Sequence, residues 1–277
     1  MIPKIIHTFW GGEKNIREIS YLDNWEEIFL PAGYEIKVWK PEDFDLNENS
    51  YIKETYELKQ WAHMSDYIRL KVLYEHGGFW LDTDVKVFKT FDELLELDYV
   101  MSTANICCSR GKQYHKLYHI TKNIKWLNRY PRGLNKLNIL DNPYVFSAGV
   151  FGFTKGHVFL KKVLDEYNKS YFRIREVDGV YDLDIAHYKA KAIHNNNIKL
   201  VFHVDIVDSC KDLVDMLKDK KYDENINNVL HILPPIMFEC KDEEESYHPL
   251  MFASHKHKFT WLDSSIELHD KMHIYEQ

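Results

Sequence analysis

The first 90 residues alternate between short apolar runs and longer segments with helical spacing, and this alternation restricts the fold most. In chain order the sequence predicts a strand over residues 4–10, a helix over 15–29, a strand over 34–39, a helix over 52–75 and a strand over 79–88. Strands that alternate with helices predict an α/β protein with a doubly wound, mainly parallel sheet. Ligands of such sheets bind beyond the carboxyl ends of the strands, so we expect the functional residues there.

Two aspartates, Asp82 and Asp84, stand at the end of the third predicted strand, one residue apart. In a strand both side chains point to the same side, where two carboxylates repel and are costly to bury without a cation. Carboxylate oxygens suit Mg²⁺ or Mn²⁺, which keep open positions for water or for the phosphates of a nucleotide. A D-x-D pattern is common by chance, and its place after an apolar strand is what favours a metal–diphosphate site.

Asp66 and Arg69 lie three residues apart on the predicted helix, so they share one helix face. Taken alone, such a pair indicates a local ion pair. This helix, however, leads through Gly77-Gly78 directly into the D-x-D strand. We therefore expect its amino half to approach the same crevice.

Four stretches together resemble a known family: "IPKIIHTFWGG", "YEIKVW", "SDYIRLKVLYEHGGFWLDTDVKVF" and "AGVFGFTKGHVFL". They are similar to the D-x-D sugar-nucleotide glycosyltransferases of family 32, of the capsular-polysaccharide and mannosyltransferase type, whose core resembles the glucosylating clostridial toxins. The resemblance covers residues 1–95 well and 144–160 moderately. It implies the GT-A fold, which is a Rossmann-like, mixed and mainly parallel sheet flanked by helices, in one domain over residues 1–277.

The resemblance also implies roles for individual residues. It places the base of the nucleotide on Trp10, the donor sugar and diphosphate on Asp66 and Arg69, and the metal on Asp84. The implied catalytic residues are Asp66, Arg69, Asp82 and Asp84; the nucleotide-sugar ligands are Phe9, Trp10, Asp66, Arg69, Asp82, Thr260 and Trp261; and the ligands of Mn²⁺ or Mg²⁺ are Asp82, Asp84 and His255. Lys256 departs from the family, which often has a second histidine there.

The function implied is a metal-dependent, retaining transfer of a hexose from a nucleotide sugar to a glycan or lipid-linked glycan in surface polysaccharide synthesis. A UDP-hexose is the favoured donor, and GDP-mannose stays open. Two alternatives also stay open: a phosphatase of the haloacid-dehalogenase type that uses "LDTDV", and a catalytically silent module that binds sugar nucleotides. If the reaction inverts, Asp182 and Asp184 are available as bases.

Composition narrows the partners and the location. The net charge of −7 argues against nucleic acid as the main partner. The four cysteines lack C-x-x-C spacing, which argues against a zinc site or a disulfide framework. The sequence shows no signal peptide and no apolar run of about 18–20 residues, so we expect a cytoplasmic protein. Peripheral attachment at the inner face of the membrane is the open alternative.

Two segments are predicted additions to the core. From Tyr99 to Leu140 there are eight Lys and Arg residues and no Asp or Glu. This basic helical insertion, at about residues 99–140, is either a surface helix docked on the core or an amphipathic element that faces an anionic membrane or a phosphate-bearing acceptor. The second segment, at about 253–262, is predicted to be an active-site loop that closes over the diphosphate.

Overall fold

The computed structural model describes residues 1–104, 145–169, 172, 192–193, 195–202, 209–219, 229–234, 237–238 and 250–256. The helices within these residues are α1 Ile16–Ile19, α2 Leu22–Phe29, α3 Ser50–Glu57, α4 Trp61–His76, α5 Val158–Tyr167 and α6 Cys210–Asp219, with short 3₁₀ turns at Pro41–Asp43 and Asp92–Leu94. The strands are β1 Ile5–Phe9, β2 Glu35–Trp39, β3 Gly78–Leu81, β4 Val85–Val87, β5 Tyr99–Val100, β6 Thr103–Ala104, β7 Val145–Phe146, β8 Val150–Phe153, β9 Lys199–Phe202, β10 Val229–Ile232 and β11 Ala253–His255.

Among the described residues, the central sheet has five strands in the order β2-β1-β3-β8-β5. β1 pairs in parallel with β2 and β3, whereas β8 is antiparallel to both β3 and β5. Four of the five strands therefore point the same way, and the prediction of a mixed, mainly parallel α/β sheet is confirmed. Smaller two-stranded pairings join β9 to β10, β4 to β11 and β6 to β7.

Helices cover both faces of this sheet over two apolar clusters. The period-two alternation of the strands divides their side chains, so that Trp80 enters one cluster and its neighbour Phe79 the other. Residues of α3, α4 and α5 pack in the cluster of Trp80, and residues of α2 and α6 pack in the cluster of Phe79. The doubly wound arrangement predicted from the sequence thus holds around the central strands.

Both long helices predicted in the first 76 residues are broken. The helix expected over 15–29 stops at Ser20, and the helix expected over 52–75 is two helices separated by Leu58–Gln60. Lys59 takes a left-handed conformation with φ of 54°, which glycine or asparagine adopts more readily than lysine. No Gly or Pro stands in residues 58–60 to indicate this turn. Its effect is that α4 begins at Trp61, close to the end of β1.

The third strand was also predicted too long. β3 ends at Leu81 and β4 begins at Val85, so Asp82 and Asp84 lie in the turn between them. The turn is closed by the Val85 N–H, which donates to the Asp82 carbonyl at 3.0 Å. The strand argument for a common side was therefore wrong, and the turn itself brings the carboxylates together.

The predicted additions fall largely outside the described residues. Of the basic insertion, the structure describes residues 99–104, which contain β5 and β6, and residues 105–140 lie outside. Of the predicted C-terminal loop, it describes residues 253–256. Within the described ranges, no helix has the length and apolar character needed to cross a bilayer.

Candidate metal and donor site

The D-x-D turn is held by hydrogen bonds from three directions. The Asp82 N–H donates to the Gly149 carbonyl at 2.8 Å, and the Asp84 carbonyl accepts from the Lys256 N–H at 3.1 Å. The Asp82 carboxylate accepts a hydrogen bond from the Trp80 indole N–H at 2.7 Å. The two aspartates are thus fixed relative to β3, β8 and β11.

His255 completes a cluster of three metal-ligating side chains. It lies on β11 opposite Val85 of β4, and its Nε2 is 3.1 Å from Asp84 Oδ1 and 3.9 Å from Asp82 Oδ2. One ligand atom from each of the three residues lies within 4.8 Å of the others. All three side chains keep partial contact with solvent, so an ion and its remaining ligands have access. The structure therefore brings the three predicted metal ligands together, and their assignment to a metal stays a prediction.

Arg69 is buried beside this cluster. Its guanidinium lies 3.0 Å from Asp66 Oδ1 and 3.4 Å from Asp82 Oδ1, and Nη1 donates to the Ala148 carbonyl at 2.6 Å. Burial opposes its charge, but the carboxylates of Asp82 and Asp66 outweigh this and raise the pKa of Arg69. The amino half of α4 therefore brings a permanent positive charge to the crevice, as predicted from the way this helix leads through Gly77-Gly78 into the D-x-D strand.

Two tryptophans stand over the Gly11-Gly12 turn that follows β1. A Cβ at Gly12 would lie 2.6 Å from the Trp10 ring, and a Cβ at Gly11 would lie 2.6 Å from the Trp61 ring. Trp10 is oriented further by its indole N–H, which donates to the Lys14 carbonyl at 2.8 Å. Both glycines are thus required by the close approach of an indole.

Trp61 was missed at the level of sequence because it appeared to lie inside one long helix. Once α4 begins at Trp61, residues 61, 65 and 69 follow one another at four-residue spacing on one helix face. Among the predicted site residues, Phe9 is 5% exposed and packs in the apolar core. Thr260 and Trp261 lie outside the described residues. The roles of these three residues stay predictions.

Comparison with known proteins agrees with this geometry. Residues 17–101 match the family model described as a glycosyltransferase sugar-binding region containing a DXD motif. The chain is 26% identical to inositol phosphoceramide mannosyltransferase 3 of Schizosaccharomyces pombe over 167 residues, an aligned region that covers 59% of this chain. It spans 36% of the length of that relative.

Two solved structures show weaker similarity. The PaToxG glycosyltransferase is 17% identical, with a TM-score of 0.39 over 70% of this chain and 69% of its own. The galactosyltransferase LgtC, solved with donor and acceptor sugar analogues, is 10% identical, with a TM-score of 0.38 over 95% of this chain and 94% of its own. The family match includes the D-x-D turn, Asp66 and Arg69. The sequence resemblance is thereby confirmed for residues 17–101, which match a glycosyltransferase sugar-binding region with a D-x-D motif.

Proposed function

We propose that this protein is a metal-dependent, retaining glycosyltransferase that moves a hexose from a nucleotide sugar to a glycan or lipid-linked glycan. One observation carries the proposal: a D-x-D sugar-binding region in which Asp82, Asp84 and His255 converge within 4.8 Å, beside a buried Arg69. Carboxylates, an imidazole and a guanidinium then surround one crevice at the carboxyl ends of β1 and β3. Such a crevice suits a diphosphate bridged to a cation.

The three ligating side chains fit a divalent ion. Two carboxylate oxygens and one imidazole nitrogen favour Mn²⁺ over Mg²⁺, because Mg²⁺ prefers an all-oxygen set. Partial exposure of Asp82, Asp84 and His255 leaves room for phosphate oxygens or water. When bound, the ion would offset negative charge on the departing nucleoside diphosphate.

Arg69 supplies a second, preorganised positive charge. Its guanidinium is tied to Asp66, to the Ser65 hydroxyl at 2.8 Å and to the Ala148 carbonyl, so it is already oriented before the donor arrives. A fixed charge of this kind stabilises a developing anion without reorganisation. The carboxylate of Asp66, at the same place on α4, can accept hydrogen bonds from hydroxyls of the donor sugar.

Retention requires little further from the chain. The bond between the anomeric carbon and the phosphate oxygen breaks, and a bond to the acceptor oxygen forms on the same face of an oxocarbenium-like sugar. The released diphosphate accepts the proton of the acceptor hydroxyl. The chain's part is to hold the donor, exclude water and stabilise the leaving group.

The nucleotide base is proposed to bind at the two indoles over Gly11-Gly12. Trp10 offers a stacking face at the end of β1, and Trp61 extends the aromatic surface toward Asp66 on the same helix. A UDP-hexose is the proposed donor. GDP-mannose is its competitor, because the S. pombe relative is named as a mannosyltransferase. Peripheral attachment near a lipid-linked acceptor belongs to the same proposal.

The test is a donor panel with Mn²⁺: UDP-glucose, UDP-galactose, UDP-N-acetylglucosamine and GDP-mannose, with release of nucleoside diphosphate as the readout. One donor should be consumed, faster with a glycan or lipid-linked acceptor, and Asp84→Asn should abolish this release. Asp215→Asn, the same change at an exposed position of α6, should not. Release of inorganic phosphate from a monoester would indicate the phosphatase instead, and donor binding without release would indicate the silent module.

A further inference from the structure

The segment Ser147–Gly149 lies next to the Asp82, Asp84 and His255 cluster, just before β8. The Ser147 N–H donates to the Ser102 carbonyl at 2.9 Å, which anchors the segment. The next two carbonyls accept hydrogen bonds from the site: Ala148 from Arg69 at 2.6 Å and Gly149 from the Asp82 N–H at 2.8 Å. Consecutive peptide groups thus hold an arginine from α4 and an aspartate from the end of β3.

Gly149 also carries the ring of His255. A Cβ at Gly149 would lie 2.4 Å from Nδ1 and 2.5 Å from Cε1 of that imidazole, so the ring rests directly on the glycine. Gly149 is not among the glycines with positive φ, so its backbone conformation is open to other residues. Glycine is required here for space, because no side chain fits beneath the imidazole.

This contact decides where His255 directs its Nε2 atom. The pairing of β11 with β4 fixes the backbone of His255, but the orientation of the ring depends on what it packs against. With its Nδ1 edge on Gly149, the ring directs Nε2 to Asp84 at 3.1 Å and to Asp82 at 3.9 Å. A side chain at position 149 would displace the ring and with it the nitrogen ligand.

We infer that Gly149 is a positioning residue of the metal site, which sets the His255 ring and the Asp82 backbone in register with each other. The inference rests on the proposed metal-dependent function, and it adds a residue that carries no ligand atom of its own. Supports of this kind, outside the ligands, commonly change metal affinity about 10–100-fold when they are altered.

The test measures Mn²⁺ binding to the protein alone, without donor, by loss of the free-Mn²⁺ paramagnetic resonance signal and by calorimetry. We expect Gly149→Ala and His255→Ala each to weaken binding about 10-fold or more. The double variant should bind no more weakly than His255→Ala, because the added methyl no longer meets a ring. Gly156→Ala is the matched control: its φ of +73° brings backbone strain, but nothing lies within 4 Å of its Cβ. It should bind Mn²⁺ like the wild type.

Thermal unfolding of the metal-free variants separates positioning from general damage. Gly149→Ala should lower the Tm, and adding His255→Ala should restore part of it, since removal of the ring makes room for the methyl. Wild-type Mn²⁺ affinity in Gly149→Ala, or equal and independent losses in the double variant, would overturn the inference. Absence of Mn²⁺ binding in the wild type would overturn it together with the proposed metal. If the variants lose Mn²⁺ affinity as expected but the wild type transfers no sugar, only the proposed function is overturned.

Discussion

Arg69 and Lys71 lie two residues apart on α4, and each stands between two carboxylates in a different environment. Arg69 lies 3.0 Å from Asp66 and 3.4 Å from Asp82, with its side chain 6% exposed. Lys71 lies 2.8 Å from both Glu48 and Glu75, with its side chain 18% exposed and those of its partners 31% and 44% exposed. The charge pattern is the same, and the degree of burial differs.

That difference in burial separates the Arg69 cluster from the solvated Lys71 cluster. Lys71 faces an open cavity of about 510 Å³ lined by acidic and aromatic side chains, where water screens its ion pairs. Arg69 lies in the interior, where charges interact strongly and an uncompensated charge is costly. The Arg69 side also adds Asp84 and His255 within reach of Asp82, which is what a cation requires. Acidic residues along α4 alone would not have distinguished the two sides.

The largest loss of stability expected from this comparison follows substitution of Arg69. Arg69→Met should lower the free energy of unfolding by about 3 kcal/mol, because it leaves Asp66 and Asp82 without their buried partner. This value is at the low end for buried pairs, since the Asp82 side chain is 26% exposed. Urea unfolding at pH 7 without metal measures the loss. A change below about 1 kcal/mol would show that the cluster behaves like a surface ion pair.

Sequence reasoning found the members of the Arg69 cluster but could not find its supports. The three-residue spacing placed Asp66 and Arg69 on one face, and the D-x-D pattern placed two carboxylates near the end of β3. The hydrogen bond from Arg69 to Ala148 joins residues 79 apart in sequence, and no local pattern indicates it. For the same reason Gly149 appeared only as one residue of the stretch "AGVFGFTKGHVFL".

Local conformation limited the sequence predictions in a second way. The turn at Lys59 depends on a left-handed residue that is not glycine, so the break before α4 and the place of Trp61 were hidden. His255 was identified through the family resemblance alone, because its approach to Asp84 depends on the pairing of β11 with β4, far apart in sequence. Periodicity located the elements, and long-range pairing assembled the site.

A smaller loss of stability is expected at low pH, from protonation of His7 on the Lys71 side of the molecule. His7 packs behind His76, which lines the cavity, and it accepts a hydrogen bond from the Trp39 indole N–H at 2.9 Å. Burial, with the nearby charges of His76 and Lys37, lowers the pKa of His7 from 6.5 to about 4, despite its bond to the Gly77 carbonyl. Its stabilisation is complete above pH 6.5 and is lost as the pH falls toward 4.

The measurement is urea unfolding of the wild type and His7→Gln at pH 7 and pH 5. Because the unfolded chain takes up the proton first, protonation of His7 should lower the free energy of unfolding of the wild type by about 2 kcal/mol between pH 7 and pH 5. The pKa of His157 is also lowered to about 4 by burial, so the wild type has a second contribution of the same sign. The His7 part is the difference between the two proteins. An equal pH dependence in both would remove His7 as its source.

The smallest effect is expected from Lys71→Met, which matches Arg69→Met in helix, in charge change and in the residue introduced. Its ion pairs with Glu48 and Glu75 are partly exposed, so the change in unfolding free energy should be no more than about 1 kcal/mol and should shrink in high salt. Mn²⁺ binding and donor hydrolysis should stay at the wild-type level, since the cavity lies along the carboxyl half of α4. A loss as large as that of Arg69→Met, insensitive to salt, would mean that burial does not separate the two clusters. Loss of Mn²⁺ binding in this variant would mean that the two sides of α4 are coupled.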